Sequence, residues 1–553
     1  MTDLPTNLTD RQNDYAIFLP ALSTFYALFI GRQRRGLEPY DENRKGSGAP
    51  YIDPNRIPPH LTNGVESLNW LDPQGLWQYK WSLHSAGHAS LDLNKDMYRE
   101  DQYRVRDRDN SWILGDSGGF QIGKGKWAGE WKDPNSQAVK DRMADCVARG
   151  TEIRTVTTKQ KDPATGQMID VEKQIEVDLV KEYQGMLDAA QNKREGVLRW
   201  MDAFMDYGMI LDIPAWVSRS PEGAAASNIT SYQEAVDGTK YNNEYFIKNR
   251  NGNCKFLNVL QGENFAQAED WYQQVKHFCD PNVYPDNHFN GWAMGGQNMC
   301  DIHLALKRVV DLRFDGLLEQ GKQDFMHFLG TSKLEWALVL TAIQRGVRKN
   351  HNPDFTITFD CASPFLCTAN GQFYTGHRLD HNGKWSYMMG DAFDDKALAS
   401  DTSSYDAYAT QHCAQYGHTW MPTPLSEGLK VNDICVYNPG DKNRMGTETN
   451  TSWDSFAYAL MMNHNVYTHV NSVQAANRAY DGGDYPEMLT DERFDRTEVK
   501  DVIARIFELD TREAAHKLID DNERLWMQVV GTRGAVGKKT VNPSAQFNSL
   551  FEV

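Results

Sequence analysis

Six short apolar runs, each delivering a polar or glycine residue at its end, constrain this chain more than any other feature. In order they are WILGDSGGFQ (Trp112 to Gln121), MILDIPAW (Met209 to Trp216), FLNVLQG (Phe256 to Gly262), GWAMGG (Gly291 to Gly296), HFLG (His327 to Gly330) and FTITFDCASP (Phe355 to Pro364). A β strand with a functional group at its carboxyl end is the way a (β/α)8 barrel builds a site. The groups delivered are the carboxylates of Asp116, Asp212 and Asp360, the amide of Gln261 and the diglycine Gly295–Gly296. The intervals of 34 residues from Gln261 to Gly295, 35 on to Gly330 and 30 on to Asp360 each hold one strand and one return helix. Two such helices are legible. Trp336, Leu340, Ile343 and Val347 form an amphipathic stripe behind a capping box of Ser332 and Glu335, and Ile302, Leu306, Val309 and Val310 form another. Strand then helix, repeated, predicts an α/β fold, a TIM-type (β/α)8 barrel, with an open doubly wound sheet as the alternative.

Around that barrel the chain divides as follows. Residues 1–84 are expected to form an N-terminal extension packing on the barrel, within which the apolar stretch from Ala16 to Ile30 is a core helix or strand pair too short to span a bilayer. The barrel occupies 85–480, with insertions at about 122–200 and 375–450. Glu152 to Val177 alternates β-branched and charged residues around DPATGQ, the pattern of an exposed hairpin. Residues 481–553 are expected to be a helical segment, periodic from about Asp491 to Val530, ending in a basic tail. Acidic residues outnumber basic ones by 75 to 58, a net charge of −17, which excludes a histone-like coat but not a local basic patch. Eight scattered cysteines without a CxxC, and a polar N-terminus without a basic n-region, fit a cytoplasmic protein rather than a disulfide-stapled secreted one.

The six motifs, in this order, resemble those of the tRNA-guanine transglycosylase superfamily, across roughly residues 85 to 480. DSGGFQ is the most specific of them, and NGQFYT (Asn370 to Thr375) and MMNHN (Met461 to Asn465) also resemble family segments. The resemblance implies a covalent base exchange. Asp360 is then the nucleophile that attacks the sugar C1′, and Asp116 the general acid and base toward the leaving and incoming bases. Ser117 and the glycines after it let backbone approach the base, and Phe120 stacks on it. Asp212 accepts hydrogen bonds from the amidine edge of a guanine-like base, Gln261, Gly295 and Gly296 meet its carbonyl edge, and Leu329 with Gly330 closes the opposite face.

Departures from the family pattern bear on partners and cofactors. The family's structural zinc uses a CxCxxC cluster and a later histidine. Here only Cys435 and His464 stand where ligands belong, so no structural zinc and no other cofactor is expected. The diglycine is followed by Gln297 rather than leucine, and Ile213 and Pro214 follow the recognition aspartate. The length and the insertions resemble the phage and bacterial branch that puts a 7-deazaguanine into DNA. That branch implies DNA and a free cyano-deazaguanine or close relative as partners, in a bacterial or host cytoplasm. Arg32, Arg34, Arg35, Lys159, Lys161, Arg533, Lys538 and Lys539 are the basic positions available for backbone contact. The alternatives are a tRNA-directed enzyme of the same chemistry, a non-catalytic nucleic-acid-binding subunit, and a nucleosidase acting on small molecules.

Overall fold

The structure is a computed structural model, and it describes residues 14–35, 56–95, 100–161, 167–439, 451–491 and 497–529. In chain order the first twelve strands of the described residues are β1 (Ile17–Pro20), β2 (Trp81–Ser85), β3 (Trp112–Asp116), β4 (Thr151–Lys161), β5 (Met168–Asp178), β6 (Tyr207–Met209), β7 (Lys255–Leu260), β8 (Gly291–Met294), β9 (Phe325–Phe328), β10 (Thr356–Cys361), β11 (Gln372–Arg378) and β12 (Ser386–Asp391), and a two-residue pair, Thr490–Asp491 with Thr497–Glu498, follows. Two compact units divide the chain: Met1–Asp116 with Trp200–Met209 and Asn251–Val553, and Ser117–Arg199 with Ile210–Arg250.

The first unit contains an eight-stranded parallel sheet in the order β1-β10-β9-β8-β7-β6-β3-β2. A parallel bridge between Ala21 and Leu83 brings its two ends together, and the Leu22 N–H donates to the Leu83 carbonyl at 2.9 Å. The result is a nearly closed (β/α)8 TIM-type barrel. Return helices follow the later strands: Phe265–Val275 after β7, Ile302–Phe314 after β8 and Leu334–Asn350 after β9. The apolar stripes predicted on the last two are buried.

Aromatic rings fill the amino-terminal end of the barrel. Phe325 on β9 lies 4.4 Å from the Tyr207 ring and 5.0 Å from Trp112, which in turn meets Trp81 at 5.3 Å. Since β9 and β3 stand on opposite sides of the ring, these contacts cross the interior and make it a packed core, as barrels of this size require. Gly291 sits directly beside Phe325, and a Cβ there would come within 2.0 Å of the Phe325 carbonyl oxygen. Gly291→Ala is therefore expected to cost about 1–3 kcal/mol or more by forcing the strands apart. Denaturant midpoints measure this, and an unchanged midpoint would contradict the tight spacing.

Several sequence expectations change in the structure. Residues 1–84 do not merely pack on the barrel: β1 is one of its strands, and the boundary at residue 85 falls on the last residue of β2. The six motifs supply only six strands, and closure needs eight. The capping box at Ser332 does not form, because the helix begins at Leu334 with Lys333 in the cap position and no side-chain cap bond. The described part of the 375–450 region is more ordered than its polarity suggests: it holds most of the β11–β12 hairpin and a helix at Tyr405–Gln415. The stretch predicted to be helical near the end forms helices at Val499–Glu508, Arg512–Asp521 and Glu523–Gln528. The basic tail with Arg533, Lys538 and Lys539 lies outside the described residues, as do the side chains of Arg32, Arg34 and Arg35.

In the second unit the predicted hairpin is present. β4 and β5 pair antiparallel from Thr151↔Asp178 to Lys161↔Met168, half-buried on one face near the base and exposed beyond it, with Lys159 and Lys161 near its far end. Its base rises from a small core in which Val139 and Cys146 pack with Leu179 and Tyr183. Among the described residues, no helix is long and apolar enough to cross a membrane.

Candidate active site

Two of the three predicted aspartates end barrel strands in the first unit. Side chains alternate along a strand, so Asp116 shares its face with Trp112, whose ring points into the barrel. Phe325 and His327 likewise share a face, and register places Thr356 and Thr358 beside them, which puts Asp360 on that same inward face. Parallel strands carry both carboxylates to one end, so Asp116 and Asp360 occupy the carboxyl-terminal rim.

Each is held differently. Asp360 is buried, and its Oδ1 accepts the Gly330 N–H at 2.9 Å with His327 Nε2 3.2 Å away. The other ring nitrogen of His327 lies 2.8 Å from Thr358 Oγ1. Among the described residues, no hydrogen bond engages Oδ2 of Asp360. Asp116 accepts from the Ser85 hydroxyl through Oδ2 at 2.5 Å, and its carbonyl accepts the Ala86 N–H at 2.8 Å. Burial pushes the thiol of Cys361, the next residue, up to about 12, which keeps it protonated.

Gln261, Gly295 and Gly296 come together at the ends of β7 and β8. A Cβ on Gly295 would lie 2.9 Å from Gln261 Nε2, so the glutamine side chain rests on the bare backbone there. Gly296 has φ +55°, a left-handed conformation that favours glycine, and a Cβ would strike the Gly262 carbonyl at 2.4 Å. Asn298 ties the two strand ends together, its amide lying 3.2 Å from both the Gln261 and the Gly295 carbonyl oxygens. The Leu329 N–H donates to Met294 O at 3.2 Å, which sets the HFLG turn against the end of β8.

The second unit holds the remaining predicted residues. Ser117 is buried, and Phe120 meets Trp216 edge-on at 5.9 Å with Lys124 Nζ 5.6 Å from its ring. Asp212 is buried in a segment fixed on either side. The Ile213 N–H donates to Thr239 Oγ1 at 2.9 Å, and Asn242 donates to the Leu211 carbonyl at 2.7 Å. Gly119 packs so closely on Asp212 that a Cβ would sit 2.5 Å from its carbonyl oxygen and 2.8 Å from Oδ1. Gly119 and Asp212 are thus packed as one built substructure.

The weak zinc ligands are engaged elsewhere. His464 has Thr423 Oγ1 at 3.1 Å from Nδ1 and the Tyr374 carbonyl at 2.8 Å from Nε2, and the Cys435 thiol donates to Phe393 O at 3.6 Å. Among the described residues, no group of three or more His, Cys, Asp or Glu side chains is placed to hold a metal ion. Ser85, His327, Thr358 and Asn298 had no role in the sequence reading. His327 opens the quoted HFLG motif, and only strand register reveals its contact with Asp360. No family model matches the chain, and a search of curated proteins returns no match.

Proposed function

We propose that this chain is a base-exchange transglycosylase that replaces guanine in DNA with a 7-deazaguanine through a covalent glycosyl-aspartate. One observation carries the reading: two inward carboxylates share the carboxyl-terminal rim, and that of Asp360 keeps one oxygen clear of hydrogen bonds among the described residues. A nucleophilic carboxylate needs just such an oxygen. In the first step an Oδ2 lone pair bonds to C1′, the C1′–N9 pair leaves with guanine, and Asp116 gives that base a proton. In the second, the ring nitrogen of the incoming base attacks C1′. Its proton passes to Asp116, and the C1′–Oδ2 pair returns to the carboxylate. Two inversions retain the sugar configuration.

In this reading Gln261 with the Gly295–Gly296 backbone meets the carbonyl edge of the flipped base. Extruding a guanine from duplex DNA costs a few kcal/mol of stacking and pairing. Exchange itself needs no ATP, since one glycosidic bond replaces another. The test is incubation of purified protein with a free 7-deazaguanine base and either DNA or tRNA, followed by nucleoside mass spectrometry. Deazaguanosine is expected in the DNA digest. Its appearance in the tRNA digest alone would assign the same chemistry to RNA, and its absence from both would overturn the reading.

A further inference from the structure

We propose that His327, held by Thr358, is the positioning residue of this site: it pins Oδ1 of Asp360 as the spectator oxygen, leaving Oδ2 to attack and later to depart. This rests on the base-exchange reading, but its geometry stands apart from it. His327 is completely buried. A carboxylate only accepts hydrogen bonds, so the nitrogen 3.2 Å from Asp360 Oδ1 carries the proton. The opposite nitrogen is then an acceptor, and the Thr358 hydroxyl at 2.8 Å donates to it. The carboxylate sets the tautomer, the Thr358 hydroxyl satisfies the acceptor nitrogen that results, and His327 with the Gly330 N–H places two donors on one oxygen.

Two donors on Oδ1 have opposite effects on the two halves of the reaction. They stabilise the free carboxylate, which restrains its attack on C1′. They also stabilise the charge that returns to the carboxylate as the C1′–Oδ2 bond breaks, which speeds release of the sugar to the incoming base. Loss of the His327 donor is therefore felt in the second half-reaction, and the covalent adduct accumulates. A histidine that merely filled the barrel would have no such signature.

The test uses the full-length chain with ¹⁵N-labelled histidine. The His327 resonances, assigned by their loss in His327→Gln, are expected to report an Nε2–H tautomer. An Nδ1–H tautomer overturns the proposal whatever the activity. In kinetics, His327→Phe is expected to slow exchange roughly ten- to hundredfold, the loss of one hydrogen bond to a charged group. Denaturing gels should show more protein–nucleic acid adduct than wild type, with KM for the incoming base little changed. His327→Gln, whose amide N–H reaches the same oxygen, should recover most of the rate. If wild type exchanges base while His327→Phe matches it in rate and adduct level, the positioning role is wrong. If wild type shows the Nε2–H tautomer yet exchanges no base, base exchange fails and the orientation of Asp360 stands.

Discussion

Asp360→Asn is expected to abolish base exchange, lowering turnover by at least about a thousandfold, and to leave no covalent adduct on a denaturing gel. The size of the effect follows from its chemistry. An amide oxygen does not form the glycosyl bond, and the neighbouring Cys361 does not substitute for it, since burial keeps its thiol protonated. The substitution is nearly isosteric and retains an oxygen for the Gly330 N–H, so folding should survive. Nucleic acid binding should also persist, which separates a lost nucleophile from a lost footprint. Full activity in the variant would remove Asp360 from the mechanism.

Acid is expected to destabilise the fold well before its carboxylates titrate. His464 and His469 lie on the helix Ser455–Asp481, and burial pulls them down to about 4 and about 3. Both are neutral in the folded chain, whereas in the unfolded chain they bind protons near pH 6.5. The unfolded state therefore takes up more protons as pH falls, so stability present above about pH 6.5 is lost progressively down to about pH 4. For His464 the difference of roughly two and a half units corresponds to about 3 kcal/mol, an order-of-magnitude figure. Burial is the largest cause for both, and for His464 it outweighs the Tyr374 carbonyl and Asp406, which favour the charged ring. The His464 ring stacks on Trp420 at 4.8 Å, and His469 lies 4.1 Å from the Phe18 ring and 4.4 Å from Tyr387. Melting temperatures from pH 8 to pH 4.5 measure the effect, and His464→Gln should flatten the curve. A flat wild-type profile would contradict neutral burial.

The parts of the fold legible in the sequence were those in which one strand carries both an apolar run and a terminal functional group. The six motif strands announced themselves in that way, and the spacing between the later ones predicted the return helices. β1 and β2 carried no such signal. IFLP is four residues long and ends in proline, and WSLHS closes on a serine whose importance lies in its bond to Asp116. The same limit governed the site. Asp116, Asp360, Gln261 and the diglycine are strand-end residues and were named from sequence. His327 and Thr358 lie within strands, and they meet only because β9 and β10 pair in one register. Asn298 looked like an ordinary turn residue, because nothing local shows that it spans two strand ends. MMNHN was noticed for a possible metal ligand. Its Asn465 instead accepts the Tyr374 N–H at 2.8 Å and donates to Thr368 at 2.9 Å, stitching a buried helix to its neighbours.

The pairing of β1 with β10 also bears on how the molecule is made. Ile17 finds its partner in Thr358, 341 positions later. At a synthesis rate of about 5–20 residues per second, that partner leaves the ribosome roughly 17–70 seconds after Ile17 does. Throughout that interval one edge of β1 has no neighbour, which leaves a nascent chain open to adventitious pairing. Ring closure is consequently a late event in biogenesis, and its long-range contacts place this protein among slow folders for which chaperone protection during translation matters.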